Sequence, residues 1–126
     1  MTLVANAAAV AAAGGLLAGA PAVDVALHAP GHSPKIKTHW NYSVTVTRGG
    51  KPVPATITAQ IVDPLGQAHI VQFGNTTKNI KAYPFTGTFR DFVIWPADSR
   101  GIPLTFRLTV KSGPTKKVIG YHVTPH

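Results

Sequence analysis

The chain has no cysteine, no glutamate and a single methionine. Without thiols, neither a disulfide nor a thiolate metal site can hold the fold, so burial of Val, Ile, Leu, Phe and Trp must do it. Side-chain carboxylates are confined to Asp24, Asp63, Asp91 and Asp98. That leaves few pairs for general acid and base work. Asp63 opens a turn, Asp98 is expected to cap one, and Asp91 is expected to pair with Arg90, Arg100 or Arg107. A Gly-x-Ser-x-Gly elbow is absent too, and nothing in sequence orients a histidine toward Ser99. No catalytic residue is assigned, and the chain reads as a non-enzyme. Against four acids stand twelve Lys and Arg, a formal charge of +8. They all fall at or after Lys35, scattered over strands and turns, and only Lys116 and Lys117 adjoin. Dispersed charge points to attraction for polyanions in general. Basic and aromatic residues do not interleave as in a stacking platform, which argues against nucleic acid as the partner.

From Met1 to Leu27 there is no Lys or Arg, and the middle of the stretch is Ala-Ala-Ala-Val-Ala-Ala-Ala-Gly-Gly-Leu-Leu-Ala-Gly-Ala. An apolar run of about 20 residues either spans a bilayer or forms the apolar part of a signal peptide. Both readings meet a difficulty. There is no basic n-region, and Pro21 follows the small-x-small site Ala18-Gly19-Ala20. Lys35 and Lys37 after the run would favour a cytoplasmic C-terminus. Residues 1–27 are therefore read as a signal peptide or membrane anchor, and the chain as extracytoplasmic, secreted or anchored. His28-Ala-Pro-Gly-His32-Ser-Pro-Lys35, with two prolines and a glycine, excludes a helix and reads as a linker over residues 28–38.

The remainder, residues 39–126, reads as strands. Trp40, Tyr42, Val44 and Val46 alternate with Asn41, Ser43, Thr45 and Thr47, and Leu104, Phe106, Leu108 and Val110 with Thr105, Arg107 and Thr109. Arg48-Gly49-Gly50-Lys51, Asp63-Pro64-Leu65-Gly66 and Ser112-Gly113-Pro114 supply turns around strands at Ala55–Val62, Ala68–Phe73 and Lys116–Thr124. Residues 74–84 have no clear period and read as an exposed connection. Between Phe89 and Ile94 the apolar residues change parity, predicting a bulge near Arg90 and Asp91 or burial on both faces. The whole predicts an antiparallel, immunoglobulin-like β-sandwich of six to seven strands after an apolar Ala-rich segment.

The Trp40–Val46 strand, the Gly50-Lys51-Pro52-Val53 turn with its following strand, and the Pro103–Val110 strand resemble the immunoglobulin-like and fibronectin-type-III-like modules of bacterial envelope proteins. More narrowly, His-Trp-Asn-Tyr-Ser-Val from His39, Phe-Arg-Asp-Phe-Val-Ile-Trp-Pro from Phe89 and Ser-Arg-Gly-Ile-Pro-Leu-Thr from Ser99 resemble uncharacterised exported actinobacterial proteins. The resemblance implies a fold and an extracytoplasmic setting, and no activity. The expected role is structural or binding at the cell envelope, with an anionic envelope polymer or an envelope protein as partner. Contact with the membrane would come through the N-terminal segment.

Six histidines carry the alternative. Imidazole suits copper or zinc, and His28, His32 and His39 are the expected ligand set for such a metal, although the Met or Cys that copper sites usually add is missing. Without metal, no cofactor is expected. Tyr83, Phe85 and Trp95 form the expected recognition patch, since Tyr83-Pro84-Phe85 lies in a connection and Trp95 beside the Pro96 corner.

Overall fold

The computed structural model describes residues 22–71 and 80–126. Of the signal or anchor expected over residues 1–27, residues 1–21 lie outside that range, whereas residues 23–27 are corrected to part of a strand; among the described residues no helix is long and apolar enough to cross a membrane. The strands are β1 (Val23–His28), β2 (His39–Arg48), β3 (Lys51–Pro52), β4 (Pro54–Val62), β5 (Ala68–Ile70), β6 (Tyr83–Thr86), β7 (Thr88–Ile94), β8 (Leu104–Ser112) and β9 (Thr115–Val123), with a 3-10 turn at Ala97–Ser99. Every pairing is antiparallel. One sheet has β1 on one edge of β2 and β7 with the short β3 on the other. The second runs β9–β8–β4, and β5 and β6 share the far edge of β4. The protein is an all-β, two-sheet antiparallel sandwich.

The core lies where the alternation of β2 and β8 puts it. Trp40, Tyr42, Val44 and Val46 face Phe106, Leu108, Val110 and the β4 residues Ala55, Ile57 and Ala59, and all are buried. Trp40 is at the centre, its ring edge-on to Trp95 at 5.5 Å and to Phe106 at 5.3 Å. Such edge-to-face pairs add to what area burial supplies. The chain passes between the sheets at Val53 and Gly87, side by side: Gly87 N–H donates to the Val53 carbonyl, and Val46 N–H to that of Gly87. Gly87 has φ +75°, and a Cβ there would sit 2.8 Å from Pro52 Cβ, so this crossing requires glycine.

Three expectations are corrected. β7 has no bulge and does not change faces. Phe89, Asp91, Val93 and Trp95 all point inward, while Phe92 is half-buried and Ile94 half-exposed on the outer face. The parity change in the sequence marks a carboxylate inside the core, at 7% exposure. Residues 28–38 are not a linker. His28 ends β1, and the following backbone is laced to the C-terminal tail by Thr124 N–H to His32 O, His126 N–H to Pro34 O and Ile36 N–H to His126 O. Trp40 Nε1–H donates to Gly31 O and Ile36 is buried, so the sandwich begins at Val23 rather than His39. The connection before Phe85 also holds structure: Ile80 is fully buried, and β6 pairs with Pro54–Ile57 of β4. β6 is an edge strand, where the missing N–H of Pro84 does least harm. The Ala68–Phe73 strand is seen as β5 over Ala68–Ile70, and residues 72–79 lie outside the described range.

Candidate functional site

The site forms where β1 stops. On the outer face of the first sheet, His28 of β1 is in register with Ser43 of β2, and Ser43 with Arg90 of β7. One row of the sheet thus carries an imidazole, a hydroxyl and a guanidinium on neighbouring strands ~4.8 Å apart. In the next row Asn41 is in register with Phe92. β1 does not continue opposite Asn41; the chain turns over Ala29 and Pro30 instead and makes one wall. Phe92 makes the other, with the His39 ring stacked on it at 3.8 Å and 9°. The result is an open groove of about 610 Å³ whose floor is the small side chains of Asn41 and Ser43.

Arg90 is exposed, and no lysine or arginine among the described residues makes an ion pair. A guanidinium with an open fork beside a hydroxyl, an amide and an imidazole is a donor set for a carboxylate or phosphate. No hydrogen bond joins His28 to Ser43, so the hydroxyl is not set up as a nucleophile by that histidine.

The sandwich separates the expected metal ligands. His28 lines the groove, and His39 is stacked on Phe92. His32 lies flat on Tyr121, ring centroids 4.1 Å apart, with its Nδ1–H donating to the His122 carbonyl. Among the described residues no group of three or more His, Cys, Asp or Glu is placed to hold a metal. His28 and His32 are parted because His28 ends a strand and His32 belongs to the segment laced to the C-terminal tail. The other histidines are engaged elsewhere, His69 Nε2 with Asp63 Oδ2 at 3.0 Å and His122 Nδ1 with Thr105 Oγ1 at 3.1 Å. The His69 bond, with Gln67 and Leu65 N–H groups, holds the Asp63 carboxyl below its ordinary range.

The expected recognition patch divides as well. Tyr83 (39% exposed) and Phe85 pack against Phe89 at 5.8 Å and 5.7 Å, where β6 meets β7. Trp95 is fully buried against Trp40 near the other end of the sandwich, so it presents nothing to a ligand. Ser99 is buried and donates its hydroxyl to Pro96 O at 2.6 Å. The arginines expected to pair with Asp91 are placed otherwise: Arg90 is on the opposite face of β7, Arg107 donates twice to Gln60 Oε1, and exposed Arg100 follows the 3-10 turn. Arg90, Asn41, Ser43 and Phe92 were not candidates from sequence. The signal was there as the polar half of two alternating strands, but register between β1, β2 and β7 is what turns it into a site.

No family model and no curated protein matches the chain. Among solved structures it is similar to a DUF4466 family protein from Parabacteroides merdae ATCC 43184, at a TM-score of 0.45 and 15% identity, over 86% of this chain and 45% of that one. The chain thus spans less than half of that protein's length.

Proposed function

We propose that the protein is a non-enzymatic binding module of the bacterial cell envelope, which holds an acidic polymer by one carboxylate- or phosphate-bearing unit in the β1–β2–β7 groove. The observation that carries this is Arg90, exposed and without an ion pair, in a three-strand row with Ser43 and His28 and beside the Phe92 ring. The general +8 charge brings a polyanion to the surface, and the groove fixes one unit of it. The apolar composition of residues 2–21 supports an extracytoplasmic setting.

Titration of the full chain with poly(glycerol phosphate), with neutral dextran as control, tests the reading. Removing a charge-assisted contact worth about 1.5–3 kcal/mol, Arg90→Gln is expected to weaken binding roughly tenfold or more. Phe92→Ala should weaken it with an unchanged far-ultraviolet spectrum. Parent-like binding by Arg90→Gln would remove the groove from the account.

A further inference from the structure

In sequence the apolar run of residues 2–21 comes just before β1, whose first residue is Val23, and at that end of the sandwich stand five of the eleven Lys and Arg among the described residues. Val23 is in register with Arg48, and Arg48 with Lys51, across β1, β2 and β3. The second sheet brings its own cations to the same end: Pro54 starts β4 there, Ser112 Oγ donates to Pro54 O at 2.7 Å, and next to Ser112 the hairpin of β8 and β9 sets Lys111 opposite Lys116. Lys117 follows. Lys51, Lys111, Lys116 and Lys117 are exposed, Arg48 is half-buried, and Asp24 is the one acid near this pole. Asp63 and Asp98 are at the opposite end, after β4 and β7 have run the length of the sandwich, and there they offset most of the charge of Lys35, Lys37 and Arg100.

Like charges directly across a ladder, such as Lys111 and Lys116, destabilise the free hairpin, and none of these five cations has an ion-pair partner among the described residues. In sequence they are far from the apolar run, whose nearest basic residue is Lys35. Folding brings them to the end of the sandwich where β1 begins. We infer that this pole is a membrane-facing surface, which seats the sandwich on anionic lipid headgroups with the groove held clear of the bilayer on a side face. The inference rests on the reading that residues 2–21 hold the chain at a membrane. An anionic leaflet attracts each cation near its surface, roughly fivefold in partition per Lys or Arg, and the attraction fades over a Debye length of about 10 Å, so only the pole next to the anchor feels it.

Because the chain has no cysteine, single labels are unambiguous. The full chain carrying Pro114→Cys, in the turn of the basic pole, or Ala97→Cys, at the opposite end, would be labelled with a fluorophore and reconstituted into vesicles containing a headgroup-located quencher. In phosphatidylglycerol–phosphatidylcholine vesicles the label at position 114 should be quenched severalfold more than that at 97. The difference should shrink in pure phosphatidylcholine, and also in anionic vesicles when Lys51, Lys111, Lys116 and Lys117 are all replaced by Gln in a chain whose far-ultraviolet spectrum is unchanged. Arg90→Gln should leave the orientation as it is, so failure of the groove and failure of the pole are read separately. Equal quenching at the two positions in anionic vesicles, quenching at neither, or a preference that survives loss of the four lysines would overturn the inference.

Discussion

A chain cut to begin at His39 is expected to lose cooperative folding. The cut removes β1 and the laced segment, and with them the buried side chains of Val23 and Ile36 and the half-buried ones of Val25 and Leu27. Burying a Val, Leu or Ile fully is worth about 1.5–3 kcal/mol, so the four together supply roughly 6 kcal/mol. The cut also opens an edge of β2 and takes away the Gly31 carbonyl that accepts from Trp40, the residue at the middle of the core. Domains are held by only about 5–15 kcal/mol, so this loss is comparable to the whole. Urea unfolding of the full chain against the shortened one measures it. A loss below about 1 kcal/mol would mean that residues 22–38 decorate the sandwich instead of completing it.

Stability should also fall steeply in alkali, and through one residue. Tyr42 is 3% exposed, and burial first, then the nearby Asp91 carboxylate, pushes its hydroxyl far above the ordinary tyrosine range. Above pH ~10 an unfolded chain releases this proton while the folded one keeps it, so the unfolded state binds fewer protons and stability falls by about 1.4 kcal/mol per pH unit. Below pH ~10 both states keep the proton and the contribution is fully present. Tyr42→Phe should remove that slope. The Tyr42 hydroxyl has no hydrogen-bond partner among the described residues, so the same variant should be at least as stable as the parent near neutral pH. Paired denaturant titrations at pH 7 and pH 11 read both effects, and equal slopes in parent and variant would contradict the assignment.

Strands and turns were legible because their local causes are local. Strict alternation in Leu104–Val110 identified the buried face of β8, where Phe106 and Leu108 are fully buried, and the Gly and Pro pairs marked the hairpins. Tertiary pairing was not legible. His28 to Lys35 looks like a tether because prolines and glycine forbid regular structure, yet its carbonyls still accept, that of His32 from Thr124 N–H and that of Pro34 from His126 N–H. Asp91 broke the apolar pattern of β7 because a carboxylate in the core is costly unless its surroundings compensate it, and sequence does not show those surroundings. Trp95 read as partly exposed beside Pro96 for lack of any sign that Trp40 would pack edge-on against it. The groove was hidden for the same reason. Ser43, Asn41, Arg90 and Phe92 are ordinary outward positions of two strands, and only the register with His28 and the early end of β1 give them a shape.

On the proposed function and the inference drawn from it, the groove would hold a polymer and the basic pole would meet a leaflet, on different surfaces of the sandwich. The first residue and the cellular fraction of the protein in its native host, read by mass spectrometry after fractionation, test the envelope claim most directly. The account predicts a chain found outside the cytoplasm, membrane-held or released, that starts at or before Val23 and so keeps β1 whole. An intact chain from Met1, soluble in the cytoplasm, would contradict it.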